Sequence, residues 1–523
     1  MKVLVCDNVS PKGVDYLQAQ PELEVIVVEG ALTAELLASA EAVIVRSATN
    51  ITREELGKAP KLRVVGRAGV GVDNVDVEAA TESGIVVMNT PSGNTISTAE
   101  LTFSMLMALA RKIPQAHMSM KNGKWDRKAF AGTELSGKAI GILGMGRIGS
   151  QVARRAISFG MRVLAFDPYL SMSKARALQV ELLELDEVFE RADFITVHMP
   201  LSDETKDMLD ADAFAKMKDG VRVVNCARGG IINEADLVSA VKNGKVGGAA
   251  LDVYDAEPLP EDSDLRKLTE IVMTPHLGAS TKEAQESVGL EVSEAVTDYL
   301  INGTVRNAVN MPSLDAKTYE AVKPYLELGE KLGRLVSQLA PNRNERLVIT
   351  YGGKAAEVPA DPVTRYVLMG FLSTAGGQDV NPVNARALAS SLGLLVEEVK
   401  AHEGPDYAEW MHVEASTDDE VVSAGGTFFG VQQRIVRLNG RNVECVPEGV
   451  LFLMNNRDKP GMVGYIGSLM GEHQINIGSM SLNRDEEGGE ALTVLNLDSV
   501  PPAALLDKVN ADSDISNVQV ITL

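Results

Sequence analysis

The stretch KAIGILGMGRIGSQVARRAISFG, residues 138–160, constrains the fold of this chain more than any other. An apolar run, AIGIL, leads into Gly144, Gly146 and Gly149 at G-x-G-x-x-G spacing, and an amphipathic pattern follows at once. Strand, glycine turn and helix in that order open a dinucleotide-binding βα unit. The first glycine permits the tight turn, the second lets backbone approach a pyrophosphate, and the third lets helix and strand pack closely. The helix N-terminus adds partial positive charge. Asp167 lies 18 residues beyond Gly149, at the end of the next apolar run RVLAFDP, where it can accept hydrogen bonds from the adenosine ribose hydroxyls. The same carboxylate would repel a 2′-phosphate, so the pattern favours NAD over NADP.

Such a unit needs further strands beside it. RVLAFDPY, ADFITVHMPL, VRVVNCARGG, VGGAALDVY and EIVMTPH supply them up to residue 276, with helical segments between. Ahead of the glycine motif, KVLVCD, LEVIVVE, AEAVIVRSAT, LRVVGRAG and GIVVMNT alternate with helices in the same way, as strands buried on both faces do. Residues 97–125 read as one long helix joining the two series, and residues 280–303 form a helix long enough to return the chain to the first. These patterns imply a discontinuous first domain, 1–93 and 280–312, around a second, 94–279. At roughly 100 to 200 residues per domain, a chain of 523 has room for more. Residues 313–448 mix a long helix with extended stretches and a hairpin, where Asn439-Gly440 suits a type I′ turn. Residues 449–523 read strand, helix, strand, strand, helix, strand. The expected fold class is α/β: two Rossmann-like/flavodoxin-like parallel-sheet domains, then an α+β intervening domain and a ferredoxin-like βαββαβ domain.

Fifty basic against seventy-two acidic residues leave a net charge of −22, which argues against nucleic acid or an anionic membrane as partner. No apolar run approaches the roughly 18 to 20 residues of a membrane span. An anionic substrate therefore needs a local cationic pocket. Cys6, Cys226 and Cys445 are odd in number, far apart and without C-x-x-C spacing. Neither a disulfide framework nor a metal site is expected, and a reducing cytoplasm is the simplest compartment.

Three ionisable residues end or follow late strands of the second series: Arg228 in VVNCARGG, Glu257 in LDVYDAEP and His276 in MTPHLGAS. Ligands of open α/β sheets bind beyond the carboxyl ends of the strands, so all three can face one crevice. With the glycine motif, NCARGGIINEADL, ALDVYDAEP and TPHLGAST, they resemble the D-isomer-specific 2-hydroxyacid dehydrogenases over roughly residues 1–310. The resemblance implies that His276 takes the hydroxyl proton as hydride leaves C2, while Glu257 stabilises the imidazolium. Arg228 would bind the substrate carboxylate and polarise the C2 oxygen. It implies NAD contacts from Gly144, Gly146, Arg147, Ile148, Gly149, Asp167, Met199, Cys226, Ala227, Asp252, Gly278 and Ala279. The Cys226 thiol itself reads better as a small buried side chain, and His198 as lining a strand end.

VRSAT, VVGRAGVGVDNVD and NTPSGNTISTAEL are close to the phosphoglycerate dehydrogenases within that family. This implies a pocket for a phosphorylated three-carbon acid. Arg46 and Arg67 would be anion ligands, Val70 and Gly71 would offer backbone N–H groups, and Asn94 would hydrogen-bond the substrate. Arg127 would reach in from a neighbouring subunit. NNRDKPGMVGYIGSLMGEHQINIGSMSL resembles the amino-acid-binding ACT domain, which in these enzymes binds serine between paired subunits. The matching positions are Asn456, Asp458, Gly461 and Asn476. The whole resemblance implies NAD-dependent oxidation of 3-phospho-D-glycerate, the first step of serine synthesis, by a cytoplasmic homotetramer regulated by serine. One rival is another D-2-hydroxyacid dehydrogenase, such as a glyoxylate or hydroxypyruvate reductase, which would not ordinarily explain two C-terminal domains. Another is a non-catalytic NAD and amino-acid sensor, against which the intact Arg228, Glu257 and His276 stand.

Overall fold

Short β-branched runs bounded by glycine and asparagine become the strands of four sheets in the computed structural model, which describes residues 1–314, 316–340, 344–373, 380–401, 407–417 and 420–523. In the first, β1 (Lys2–Val5), β2 (Glu24–Val27), β3 (Ala42–Val45), β4 (Val64–Arg67) and β5 (Val86–Met88) are parallel in the order β2-β1-β3-β4-β5. This is the flavodoxin-like winding. Every residue of β3 is buried because a core lies on each face, which is why the run is apolar throughout and not alternating. The helix Lys282–Asn302 supplies one of those covers, setting Val288, Val292, Val296 and Leu300 against Val3, Ile44 and Val64.

The second sheet lies between these segments in sequence. It comprises β6 (Ala139–Leu143), β7 (Arg162–Phe166), β8 (Glu181–Leu182), β9 (Phe194–Val197), β10 (Val221–Asn225), β11 (Val246–Leu251) and β12 (Ile271–Met273). Its order, β12-β11-β10-β9-β6-β7-β8, reverses direction between β6 and β9, the switch point where such sheets hold ligands. The helix Thr95–Arg111 packs Ala99, Leu106 and Leu109 into this core. The single helix expected over 97–125 is in fact two, Thr95–Arg111 and Ile113–Lys121, broken at Lys112 with φ 51°. Pro114 explains the break, since it lacks an N–H for the preceding turn and disfavours helical backbone just before it. The two-residue β8 carries no periodic signal and was not anticipated from sequence.

The extended stretches of the third region close into one mixed sheet. β13 (Arg346–Gly353), β14 (Leu395–Ala401), β15 (Glu409–Ser416), β16 (Val421–Phe429), β17 (Gln432–Leu438) and β18 (Arg441–Cys445) run in the order β14-β13-β15-β16-β17-β18. Only β13 and β14 are parallel. Helices Ala316–Leu339 and Ala360–Leu372 cover one face. Asn439 and Gly440, at φ 46° and 79°, form the β17–β18 turn. In the fourth sheet, β19 (Val450–Arg457), β20 (Ile477–Arg484), β21 (Glu490–Leu497) and β22 (Ile515–Thr522) are antiparallel in the ferredoxin-like order β20-β21-β19-β22.

Candidate active site

The end of β12 delivers His276 into a turn that is fastened from three sides. The carboxylate of Asp252, at the end of β11, has no solvent-accessible surface. One of its oxygens accepts the Thr274 hydroxyl at 2.6 Å and the Leu277 N–H at 2.7 Å, and the other accepts the Gly278 N–H at 2.9 Å. The His276 N–H donates to the Asp252 carbonyl at 2.9 Å, and the hydroxyls of Ser97 and Thr98 donate to the Gly278 carbonyl. Held this way, His276 takes a left-handed backbone conformation, φ 56°, that a free histidine rarely adopts. Its Nδ1 lies 2.7 Å from Glu257 Oε2, while Glu257 Oε1 accepts the Tyr254 N–H at 3.1 Å. The carboxylate thus fixes the ring and leaves Nε2 as the free nitrogen. Glu257 is 19 residues from His276 in sequence and adjacent to it in space.

Arg228 follows β10 and points across to the first sheet. A Cβ on Gly71, beyond β4, would overlap its Nη2, so the guanidinium lies directly against that backbone. Its Nε is 3.4 Å from the exposed Asp73 carboxylate, and its Nη1 donates to the Ala227 carbonyl at 2.7 Å. Burial, then the like charge of Arg228, lowers the pKa of Arg67, with Arg46 adding to the same repulsion. Three cations from two sheets therefore crowd one crevice of an acidic protein. The Arg67 Nε is buried without a hydrogen-bond partner, as is Asn94 Oδ1 at the start of the helix Thr95–Arg111. Both are groups that an anionic, hydroxyl-bearing ligand could satisfy. Val70 lies beside them, its carbonyl accepting the Asn89 amide at 2.6 Å. Asp7 and Asn74 were missed in the sequence. Asp7 accepts the Arg46 and Thr49 N–H groups at 2.8 and 3.0 Å, and the Asn74 amide donates to the Arg46 carbonyl at 2.8 Å. The signal was available for Asp7, a carboxylate just past the end of β1.

The glycine loop behaves as its spacing requires. Gly144 has φ 94°, and a Cβ there would come within 2.6 Å of the His198 carbonyl and 2.7 Å of Met199 Cγ. A Cβ on Gly149 would overlap the Gly144 carbonyl oxygen, whereas one on Gly146 would meet no protein atom within 4 Å. The open space sits at the N-terminus of the helix Arg147–Ser158, which has no side-chain cap, so its first N–H groups are free for a phosphate. Asp167 accepts the Met145 N–H at 2.7 Å and the Tyr169 N–H at 2.8 Å. It orders the loop as well as offering its remaining lone pairs outward. These residues fit NAD. Arg147 is exposed and Ile148 half-buried beside the loop, while Ala279 flanks the His276 turn. The Ala227 N–H is turned to Asn225 Oδ1 at 2.9 Å. Burial pushes the Cys226 thiol up to about 12, leaving it inert, and pushes His198 down to about 3, so that imidazole stays neutral.

Arg127 does not join this cluster within the chain. It sits on an exposed segment with Trp125, beside Ala116, Met120 and Phe130. After β19, Asp458 accepts Arg484 Nη1 at 3.0 Å and the Gly488 N–H at 3.1 Å, and both lower its pKa. Gly461 caps the helix Met462–Glu472 at φ 95°. Asn476 donates to Asp498 at 2.9 Å, and Asn456 is buried with its Oδ1 on the Thr493 hydroxyl.

Comparison with known proteins assigns the class first. Residues 103–278 match the NAD-binding domain of the D-isomer-specific 2-hydroxyacid dehydrogenases, the span that holds the glycine loop, Arg228, Glu257 and His276. A D-lactate dehydrogenase from Aquifex aeolicus, solved with NAD and lactic acid, superimposes with a TM-score of 0.53 at 27% identity, covering 60% of this chain and all of that one. Residues 321–439 match the D-3-phosphoglycerate dehydrogenase intervening domain and residues 450–514 the ACT domain. The D-3-phosphoglycerate dehydrogenase of Archaeoglobus fulgidus is 41% identical over 100% of both chains, and that of Bacillus subtilis 41% over 100% of this chain and 99% of its own. The chain belongs to the D-3-phosphoglycerate dehydrogenase family.

Proposed function

We propose that this chain oxidises 3-phospho-D-glycerate to 3-phosphooxypyruvate with NAD, opening the phosphorylated route to serine. The observation that carries the reading is the pairing of a hydroxyacid-oxidising dyad, His276–Glu257 at 2.7 Å, with three arginines in one crevice. One carboxylate and one phosphate on a three-carbon acid match that charge. Arg228 holds the carboxylate and polarises the C2 oxygen. Arg46 and Arg67 take the phosphate, with N–H groups at Val70 and Gly71, and Asn94 receives the hydroxyl end. His276 Nε2 removes the C2 hydroxyl proton, and the resulting imidazolium is stabilised by Glu257. NAD bound along the glycine loop would supply the acceptor for the hydride on C2. The loop glycines Gly144, Gly146 and Gly149, with Arg147, Ile148, Asp167, Met199, Cys226, Ala227, Asp252, Gly278 and Ala279, would hold the cofactor.

On this reading, residues 94–279 bind the cofactor, residues 1–93 and 280–312 bind the substrate, residues 313–448 form the intervening domain, and residues 449–523 serve regulation. Serine is the effector, with Asp458 for its ammonium and Asn476, Asn456 and the Gly461 turn around its carboxylate. A homotetramer is supported by the exposed apolar residues Ile113, Met118, Met120 and Trp125, the last 78% accessible, on the segment that carries Arg127. Cytoplasmic residence is supported by three buried free cysteines. Among the described residues no helix is long and apolar enough to cross a membrane.

The test is NADH formation with 3-phosphoglycerate against a panel of unphosphorylated 2-hydroxy acids, with and without serine. Preference for the phosphorylated acid supports the reading. Equal or better turnover of glycerate or lactate would replace it with the broader dehydrogenase class.

A further inference from the structure

Asp73, in the turn after β4, makes none of the hydrogen bonds that neighbouring carboxylates make. Asp7 accepts the Arg46 and Thr49 N–H groups, and Asp76 accepts the Ala79 N–H at 2.9 Å to start the helix Val77–Glu82. Among the described residues, no N–H or hydroxyl donates to the Asp73 carboxylate, and its ion-pair partner is Arg228. The backbone nonetheless fixes its place. The Asn74 amide donates to the Arg46 and Thr49 carbonyls at 2.8 and 2.6 Å, and the Asn74 carbonyl accepts the Ile51 N–H at 2.8 Å. The Val75 N–H returns to the Val72 carbonyl at 2.9 Å. Asp73 therefore stands on a tied turn of the first domain and faces a cation of the second.

What it faces is one edge of the guanidinium. Arginine grips a carboxylate with two parallel N–H groups. Nη1 of Arg228 is turned to the Ala227 carbonyl at 2.7 Å, which leaves the edge formed by Nε and Nη2. Nη2 lies against the Gly71 backbone, where a Cβ would overlap it and come within 2.6 Å of Asp73 Oδ2. Nε lies 3.4 Å from that same oxygen, too long for a good hydrogen bond and close enough for charge to act. The edge is thus open to a ligand but lies in the field of a fixed carboxylate. That field reaches further into the crevice: burial, then Arg228, lower the Arg67 pKa, and Asp73 opposes them.

We propose that Asp73 sets the charge selectivity of the crevice: it weakens the hold of Arg228 and Arg67 on anions, most for the most highly charged, without touching the reacting atoms. The proposal rests on the reading of Arg228 as the carboxylate anchor. A substrate with a carboxylate and a phosphate meets three arginines, and the oxidised product keeps both anionic groups. An untempered cluster would hold product as firmly as substrate, and uniform binding of that kind lowers KM without raising kcat. One fixed negative charge lowers both affinities together.

Full-length wild type, Asp73→Asn, Asp73→Ala and Asp73→Glu are loaded with NADH, so that no oxidation follows, and titrated by calorimetry with 3-phosphoglycerate and with D-glycerate. The Asp73 side chain is 79% exposed, so its replacement does not threaten folding. Removing the charge should tighten 3-phosphoglycerate by about twofold to fivefold, the range of an exposed charge contact, and D-glycerate by less. Asp73→Glu should stay near wild type, and added sodium chloride should narrow every difference. A carboxylate with only a structural role gives the opposite sign, because its loss loosens the turn and weakens both acids. Weaker or unchanged binding of 3-phosphoglycerate in both neutral variants overturns the proposal, as does an equal gain on the two acids. Turnover is measured separately: a wild type that oxidises D-glycerate in preference to 3-phosphoglycerate removes the substrate reading and leaves the binding comparison standing.

Discussion

The dehydrogenase crevice and the ACT end of the molecule use similar residues in opposite ways. In the crevice, protein hydrogen bonds are spent on the backbone that carries the acting groups: Asp252 ties the His276 turn, Asp7 ties the Arg46 loop, and Asp167 ties the glycine loop. The groups that face the ligand are left open, including Arg67 Nε and Asn94 Oδ1. At the ACT end, the candidate ligand groups are themselves engaged, Asp458 by Arg484 and Asn476 by Asp498. The crevice is preorganised and waits for substrate. The effector positions are satisfied within one chain, so an amino acid must displace a partner to bind. A site of the first kind should lose function steeply when altered, and one of the second kind should shift gently.

The steepest loss tests the dyad. His276→Asn is expected to lower kcat by about two to four orders of magnitude while leaving the turn intact, because general-base contributions have that size. Steady-state rates with saturating NAD check it, and near-normal turnover would remove His276 from proton transfer. Asp252→Ala comes next. It strands three donors, of which the Gly278 N–H is buried and the Thr274 and Leu277 groups part-buried, and a buried orphaned group costs roughly 1 to 3 kcal/mol. Thermal unfolding should move down and kcat should fall with it, although Asp252 does not touch the transferred proton. A variant with wild-type kcat would show that the His276 turn holds itself.

Arg46→Ala is smaller and more selective. Loss of one charged contact should reduce kcat/KM for 3-phosphoglycerate by roughly tenfold to a hundredfold. For an unphosphorylated 2-hydroxy acid the reduction should be minor. Equal losses on both substrates would place Arg46 outside the phosphate pocket and weaken the contrast between an open crevice and a closed effector site.

The same contrast explains what could be read from sequence. The glycine loop, Arg228, Glu257 and His276 are legible because each sits at the carboxyl end of a strand whose apolar run marks the place, and sheet topology alone brings those ends together. The ferredoxin-like order of the last region was legible from alternating runs. What stayed hidden depends on contacts far apart in sequence. Asp252 was legible only as a candidate cofactor contact, and its knotting of a turn 22 to 26 residues away was not. The helix break at Lys112 turned on Pro114, whose effect competed with a long helical pattern on both sides. The six-stranded sheet drew its order from pairings between residues up to 70 positions apart, such as Arg346 with Ser416, which no local period encodes. Arg484 was likewise invisible as the counter-ion of Asp458.

Arg484 provides the gentlest and most discriminating test of the comparison. If serine reaches Asp458 by displacing an exposed guanidinium, then removing that guanidinium should favour the effector. Exposed ion pairs are worth about 0.2 to 1 kcal/mol, and Arg484 is roughly half exposed, at 53%. Arg484→Ala should therefore tighten serine binding by no more than about fivefold, read as a lower serine concentration for half-inhibition. Asp458→Ala should instead abolish the response. If Arg484→Ala weakens serine binding, the arginine is a ligand group, and the ACT end then resembles the crevice in holding its cation ready for the ligand.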